Sequence, residues 1–450
     1  MSAILDLFKP APHIPEIDDP DRVKADYNYW RIRTLYSMFI GYALYYFTRK
    51  SFTFAMPGLI AELHFDKSQL GLLGSILSIT YGVSKFASGI LSDRSNPRYF
   101  MAFGLMMTGV FNICFGMSSS ILLFAVFWGL NGWFQGFGWP PCARFLTHWY
   151  SHSERGSWWA TWNVSHNVGA FIIPWIVGAC LQSYGWRYAM YVPGILCILG
   201  GLFLINRLRD TPQSLGLPPV EKFRNDYSGL GASLADEERE LTTREILVEH
   251  VLKNKYIWML AIAYFFVYVV RTGVNDWTAL FLLEKKGYSQ LGANGCVSLF
   301  EVGGFFGSLF AGWSSDRLFG ARRGPVNALF AIGMLISLTL FWVIPGGYTW
   351  LDSAVMFLIG FMIFGPQMLI GVAVAELSHK KAAATSTGFA GWFAYMGAAG
   401  AGYPLGRIAQ DYGWDGFFWS MVICCLLSIV FLLPLWGVTE RSRKPKLKYA

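Results

Sequence analysis

Two arginines stand inside long apolar stretches of the chain, where a charged side chain is costly. Arg49 precedes apolar residues that continue to Ile60, and Arg271 follows the apolar run 257–270. The acid nearest to Arg271 along the chain, Asp276, is five residues away and about 140° round a helix. A guanidinium at such depth costs from about 3 to more than 10 kcal/mol, so it normally faces a cavity or a partner. Because a guanidinium fork matches phosphate oxygens bidentately, the arginines predict a site for a phosphoryl group.

The two arginines belong to a repeated pattern. The first apolar segment contains Tyr42, Tyr46 and Arg49. The seventh segment contains Tyr264, Tyr268 and Arg271 at the same spacing. A second landmark, Ser92-Asp93-Arg94, recurs as Ser315-Asp316-Arg317 at an offset that agrees within one residue. Such agreement predicts a parallel internal repeat whose matched residues face each other. Snorkelling, or bonding to carbonyls of a neighbouring helix, is the alternative role for each arginine, and the shared register favours the cavity.

Further polar residues interrupt the apolar segments. Lys85 is a second-segment cation that either lines a cavity or snorkels towards the nearby helix end. Asn163 and His166 share one face of the fifth segment, which favours a site over simple bridging between helices. Glu301 either offsets Arg271 or takes part in coupling. The tyrosines beside the arginines either contact a ligand or pack between helices.

Several chemistries lack their sequence signatures. The chain has no GxxxxGK[ST] loop, no His/Cys metal spacing and no nucleophile elbow. We therefore expect no ATP-driven step, no metal, no cofactor and no enzymatic activity. A net charge of +8 would suggest nucleic acid in a soluble protein, but here the basic residues cluster in short loops and at the end of the chain, so we expect no nucleic-acid partner.

The composition requires a membrane to position these residues. Of the 450 residues, 54% are hydrophobic and only 14% are charged, against about 25% charged in soluble proteins. Each apolar segment is close in length to the ~20 residues that span a bilayer. The twelve predicted segments are 34–60, 69–91, 99–117, 121–146, 157–183, 188–206, 257–283, 290–313, 325–345, 351–376, 383–408 and 416–437. We predict an all-α membrane protein of twelve transmembrane helices in two pseudo-symmetric six-helix bundles.

A polar, acidic stretch divides the segments into two sets of six. The predicted divisions are an N-terminal cytoplasmic segment 1–30, a first bundle 31–206, a cytoplasmic linker 207–255, a second bundle 256–437 and a basic tail 438–450. The basic loops alternate with nearly uncharged ones, which places both termini in the cytoplasm. We expect a multi-pass protein of a bacterial inner membrane, inserted by its first helix and monomeric in the lipid bilayer.

Long motifs resemble one transporter family. The loop Ser88–Arg94 resembles the signature between the second and third helices of the major facilitator superfamily. The stretches YYFTRKSF, YGVSKF, GWFQGFGWPPCARFLTHWY, WNVSHNVG, YVVRTGVNDW and FGPQMLIGVAVAE resemble the organophosphate:phosphate antiporters, and the likeness covers nearly all of the chain from Tyr29. That family exchanges sugar or glycerol phosphates for inorganic phosphate.

The resemblance assigns roles to individual residues. Arg49 and Arg271 would be the phosphate-binding arginines, with Lys85 and His166 as further cavity residues. The matching cavity tyrosines are Tyr42, Tyr46, Tyr81, Tyr268 and Tyr395. Phe364 departs from the Tyr of the glycerol-phosphate carriers, which favours another substrate. By family analogy, Asp93 and Asp316 with the neighbouring Arg94 and Arg317 would latch the cytoplasmic side.

Three functions are consistent with these residues. The first is a secondary transporter that exchanges hexose 6-phosphate for inorganic phosphate by alternating access. The second is a membrane receptor that binds external hexose phosphate and signals to a partner sensor kinase, since the resembling branch contains both kinds of protein. The third, proton symport, would need a titrating buried carboxylate, for which Glu301 is the candidate.

Overall fold

Helices account for every predicted apolar segment. The computed structural model describes residues 8–93, 95–226, 245–320, 322–378 and 383–438. The helices of the first half are α1 Pro20–Leu63, α2 Lys67–Asp93, α3 Pro97–Met117, α4 Ile121–Gln135, α5 Trp139–Trp149, α6 His152–Tyr184, α7 Trp186–Arg207 and α8 Val220–Arg224. Those of the second half are α9 Lys255–Lys286, α10 Gln290–Arg317, α11 Arg323–Val343, α12 Thr349–Leu377, α13 Ala383–Gly400, α14 Tyr403–Asp411 and α15 Gly413–Leu432. Within these described residues, nine helical stretches are long and apolar enough to cross a membrane.

Two predicted segments are broken helices. The sequence predicts continuous helices over 121–146 and 383–408, but the chain interrupts the first between α4 and α5 and the second between α13 and α14. Pro140 lacks the N–H that would bond to the carbonyl of Gly136, and that carbonyl instead accepts from Ser88 Oγ over 2.7 Å. At the second break, Ser75 Oγ accepts from the backbone N–H of Tyr403 over 2.8 Å. A neighbouring serine therefore satisfies the backbone at each break.

The chain forms two compact units. Unit 1 comprises residues 1–55 and 80–239, and unit 2 comprises residues 56–79 and 240–450. α1 begins at Pro20, which lies within the predicted N-terminal segment 1–30. Residues 227–244, in the predicted linker, and 439–450, in the predicted tail, lie outside the described residues. α2 begins in unit 2 and ends in unit 1.

A cluster of charged residues in unit 1 links α1, α6 and α8. Glu154, in the first turn of α6, forms ion pairs with Arg31 of α1 and, at 3.0 Å, with Arg224 of α8. Burial raises the pKa of the Glu154 carboxyl, but the hydrogen bond and charge of Arg31, with the charge of Arg224, outweigh burial and lower it. Because the folded-state pKa is lowered, these pairs stabilise the protein above the carboxyl's unfolded pKa and lose effect as the pH falls through the folded-state value.

Within unit 2, the first half of α2 packs on the break between α13 and α14. Ser75 Oγ donates to the carbonyl of Ala399 over 2.6 Å, and a Cβ on Gly402 would lie 2.5 Å from the carbonyl oxygen of Gly71. Lys67 Nζ pairs with Glu284 at 2.7 Å and lies 4.8 Å from the ring centre of Trp414. We call this set of contacts the α2 seam. It is made chiefly of hydrogen bonds, close backbone approaches and one ion pair.

α10 and α12 pack with their backbones in direct contact. A Cβ on Gly303 would lie 1.9 Å from the carbonyl oxygen of Phe357, and one on Gly360 would lie 1.9 Å from that of Phe300. Small residues at these positions therefore set the distance between the helices. Gly371, also on α12, has open space where its Cβ would stand.

We predict that Gly303→Ala destabilises the protein and that Gly371→Ala does not. The added methyl at residue 303 meets a backbone carbonyl, so the helices must separate, at a typical overpacking cost of about 1–3 kcal/mol. Thermal unfolding of the purified protein in detergent measures the difference. Equal melting temperatures for the two variants would show that α10 and α12 are not packed this closely.

Candidate functional site

In unit 1, Arg49 is oriented by an amide and two aromatic rings. Its Nε donates to Oε1 of Gln135 over 3.1 Å. Its Cζ lies 4.5 Å from the ring centre of Tyr46 and 4.4 Å from that of Tyr81. An amide and an aromatic ring direct a guanidinium without carrying a full negative charge. The arrangement presents an oriented cation, which suits the oxygens of a phosphoryl group.

The amide of Gln135 is itself fixed from both sides. Gln135 is 1% exposed, and its Nε2 donates to Thr48 Oγ1 and to Asn131 Oδ1, each over 3.1 Å. Asn131 Nδ2 in turn donates to the carbonyl of Thr48 over 3.0 Å. These bonds determine that the oxygen of Gln135, not its nitrogen, faces Arg49. Neither Gln135 nor Asn131 was predicted from the sequence, although two amides spaced i, i+4 in an apolar segment were a signal.

Aromatic and histidine side chains extend the Arg49 cluster. The ring centre of Tyr46 lies 5.7 Å from that of His166 and 6.0 Å from that of Tyr42. Tyr42 also lies 4.9 Å from Trp162, which the sequence analysis did not single out. His166 Nδ1 contacts the backbone carbonyl of Asn163, so the contact described for Asn163 is through its backbone. The structure thus gathers the predicted histidine and tyrosines of the first half.

Lys85 lies one turn further along α2 than Tyr81. Its Nζ is 5.3 Å from the ring centre of Trp139, the first residue of α5. The two α2 residues are four apart and so share a helix face. Lys85 therefore continues the line of polar groups that starts at Arg49.

In unit 2, Arg271 lies between two rings. Its Cζ is 5.5 Å from the ring centre of Tyr268 and 5.1 Å from that of Phe364. The ring of Tyr395 lies 6.2 Å from that of Tyr268. The hydroxyl of Tyr264 donates to the carbonyl of Gln367 over 2.8 Å, which is a bond between helices. Arg271 thus repeats the ring contacts of Arg49, with phenylalanine as one of its two rings.

Glu301 of α10 is buried and bonds to α9 one turn beyond Arg271. The residue is 3% exposed, and its Oε1 accepts from Asn275 Nδ2 over 2.8 Å. Asn275 is four residues after Arg271, on the same face of α9. Asn275 was not predicted, and it links the predicted acid to the helix that carries the arginine.

The residues predicted to latch the cytoplasmic side are only partly described. Arg94 and the side chain of Asp93 lie outside the described residues. Asp316 forms its ion pair with Arg323 rather than with the adjacent Arg317, which is exposed. Arg323 also pairs with Glu376 at 2.9 Å. The acid of the second-half motif is therefore tied to α11 and α12.

Apolar helices that carry clustered cations define a multi-pass membrane protein. Residues 38–403 match the Major Facilitator Superfamily. The chain is 58% identical over 444 residues to the "Probable hexose phosphate transport protein" of Chlamydia trachomatis, covering 97% of each chain. It is 50% identical over 431 residues to the "Membrane sensor protein UhpC" of Salmonella typhimurium, covering 96% of this chain and 97% of that one.

A solved structure shows the same fold. It is a bacterial homologue of the human lysosomal transporter Spinster, inward-facing and occupied, which superposes with a TM-score of 0.72 at 16% identity over 93% of this chain and 99% of that one. The chain belongs to the major facilitator superfamily and, within it, to the organophosphate:inorganic phosphate antiporter family. The predictions of family and of an all-α fold with twelve membrane helices are confirmed.

We predict that Gln135→Glu weakens phosphate binding by about tenfold or more, because a carboxylate beside Arg49 competes with the anion. Gln135→Leu, of similar size and uncharged, is expected to weaken it less, since it removes the bonds to Arg49, Thr48 and Asn131 without adding a competing charge. Equilibrium binding of labelled inorganic phosphate to the purified protein measures both. Wild-type affinity in Gln135→Glu would exclude Arg49 from the anion site.

Proposed function

We propose that the protein is a secondary transporter that exchanges a sugar phosphate, foremost hexose 6-phosphate, for inorganic phosphate by alternating access. The observation that carries the proposal is the contact set of Arg49, whose guanidinium is oriented by Gln135, Tyr46 and Tyr81. The name of the relative from Chlamydia trachomatis, 58% identical over nearly the whole chain, supports hexose phosphate as the substrate class.

The proposed roles come from the chemistry of each residue. Arg49 and Arg271 bind the phosphoryl oxygens, and Lys85 and His166 supply further positive or donor groups. The tyrosines Tyr42, Tyr46, Tyr81, Tyr268 and Tyr395, with Asn163, bind the rest of the substrate. Phe364, which contacts Arg271, has no hydroxyl to offer a substrate, whereas the glycerol-phosphate carriers have tyrosine at this position. This difference supports a substrate other than glycerol phosphate. Glu301, Asp93, Arg94, Asp316 and Arg317 take part in coupling.

The proposed exchange has an electrostatic cause. A guanidinium in a low dielectric is costly, and a bound dianion offsets the charge of the group that it contacts. A carrier without an anion then changes conformation slowly, and a loaded one changes quickly. Influx of one phosphate compound therefore requires efflux of another, which is exchange rather than net flow.

The proposed setting is a bacterial inner membrane, with a monomer whose two termini face the cytoplasm. The proposed divisions are a first six-helix bundle over 31–206 and a second over 256–437, joined by a cytoplasmic linker. The basic residues Arg98, in the first turn of α3, and Arg322, immediately before α11, support this orientation.

A receptor is the second candidate function, favoured by 50% identity to a protein named as a membrane sensor. The same residues would then bind external hexose phosphate, and a partner kinase would detect the bound state. Proteoliposomes loaded with inorganic phosphate distinguish the two functions. A transporter takes up labelled glucose 6-phosphate against efflux of phosphate, whereas a receptor binds it saturably without counterflow.

We predict that Arg49→Lys and Arg271→Lys each reduce this exchange at least about a hundredfold, because lysine keeps the charge but loses the bidentate fork. Arg407→Lys is the matched control, since Arg407 is exposed and pairs only locally with Asp411 among the described contacts. Counterflow of labelled glucose 6-phosphate, normalised to reconstituted protein, gives the comparison. Near-normal exchange in either of the first two variants contradicts the proposed site.

A further inference from the structure

A cavity of about 490 Å³ opens in unit 1 beyond the Arg49 cluster. The residues that give it chemical character are Lys85 from α2, Trp139, Arg144, Thr147 and His148 from α5, and Trp159 from α6. Its described lining holds two fixed cations and a histidine and includes no aspartate or glutamate. Such a lining attracts an anion.

The cavity is connected to Arg49 through α2. The ring of Tyr81 contacts Arg49, and Lys85, one turn of about 5.4 Å further on, lines the cavity. An anion that leaves Arg49 along this helix face therefore meets Lys85 next.

The break between α4 and α5 fixes the cavity relative to the arginine. α4 ends at Gln135, which holds Arg49, and α5 begins at Trp139, which lines the cavity. The hydroxyls of Ser84 and Ser88 bond to the carbonyls of Trp133 and Gly136 and so secure the break to α2. Two serines on the helix of Lys85 thus set the position of both binding regions.

Arg144 is the rigid cation of the cavity. Its Nη1 donates to the carbonyls of Ser92 and Ser95, over 3.1 and 2.8 Å, and its Nη2 pairs with Asp210 at 3.1 Å. Because the carboxylate of Asp210 offsets the charge of its guanidinium, Arg144 contributes mainly by fixing the wall of the cavity. The hydroxyl of Thr147 donates to the carbonyl of Arg144 over 2.8 Å. Lys85 and His148 carry the nitrogen atoms in the lining that suit direct contact with a phosphoryl group.

The cavity also has two indole walls. The ring centres of Trp139 and Trp159 lie 5.7 Å apart at an interplanar angle of 64°. Aromatic walls with a few polar groups are the usual composition of a small-molecule site. An indole face packs well on the C–H face of a sugar ring, whereas inorganic phosphate offers no such surface.

We propose that this cavity is a second anion subsite, which holds a phosphomonoester or inorganic phosphate between the Arg49 cluster and the cytoplasm. The phosphoryl group lies at Lys85 and His148, and the sugar of a hexose phosphate lies against Trp159. The inference rests on the proposed function, because it assigns a step on the substrate's path through the same half of the protein.

The test uses vesicles of both orientations containing the full-length protein. His148→Gln is expected to raise the half-saturating concentration of phosphate and of glucose 6-phosphate about tenfold at the cytoplasmic face, the loss of one charge-assisted hydrogen bond. At the external face the change is expected to stay within about twofold. His13→Gln, at an exposed position of the N-terminal segment, is the matched control.

The variant Trp159→Leu distinguishes binding of a phosphomonoester from binding of inorganic phosphate. It is expected to weaken cytoplasmic glucose 6-phosphate about tenfold but phosphate less than about twofold, and Trp159→Phe, which keeps a ring, is expected to restore most of the difference. Trp175→Leu, also on α6 and 44% exposed, controls for the loss of an indole. An equal effect of Trp159→Leu on both ligands, or equal effects at both faces, overturns the proposal.

Failure of the subsite and failure of transport give different results. If the wild-type protein exchanges substrates and His148→Gln behaves like His13→Gln, the subsite is excluded and the transporter stands. If the wild type does not exchange, equilibrium binding of labelled phosphate to purified Arg49→Lys protein decides. If Arg49→Lys protein retains phosphate binding and the double variant Arg49→Lys/His148→Gln loses it, the subsite is supported. If the double variant binds phosphate as well as Arg49→Lys does, the subsite is overturned.

Discussion

A cation inside a membrane helix must be held in one orientation by acceptors on other helices, and the polar contacts between α1 and α4 are arranged around that constraint. Gln135 meets it for Arg49, because an amide oxygen accepts a hydrogen bond without carrying a formal charge. Thr48 and Asn131 then fix the amide. Mutual satisfaction of these polar groups limits the cost of burying them in an apolar environment.

Periodicity and composition were sufficient to predict the membrane helices, because a bilayer requires apolar segments of a certain length. The breaks at α4–α5 and α13–α14 were missed, because an unpaired carbonyl or N–H is tolerated only if another helix satisfies it. Those partners, Ser88 and Ser75, are distant in sequence. The spacing in the repeat was sufficient to predict that Tyr46 lies beside Arg49 and Tyr268 beside Arg271. Gln135 and Asn275 act through tertiary contacts, which the spacing does not contain.

Transport and sensing require the same recognition chemistry and differ in the step after binding. In the proposed function, the contacts of Arg49 and Arg271 serve recognition, which transport and sensing share. The chain is similar to relatives with both kinds of name, and its function depends on whether the bound state completes a cycle.

The α2 seam has a thermodynamic consequence. Its hydroxyl-to-backbone bonds at Ser75 and the Lys67–Glu284 pair are groups that water can solvate almost equally well, and glycines contribute little apolar area. Leu70 and Leu73, in the same half of α2, are fully buried and add apolar area, so separating this surface also carries a positive heat-capacity change. A helix fastened in this way is held by polar contacts together with apolar burial, and the contribution of the burial weakens on cooling.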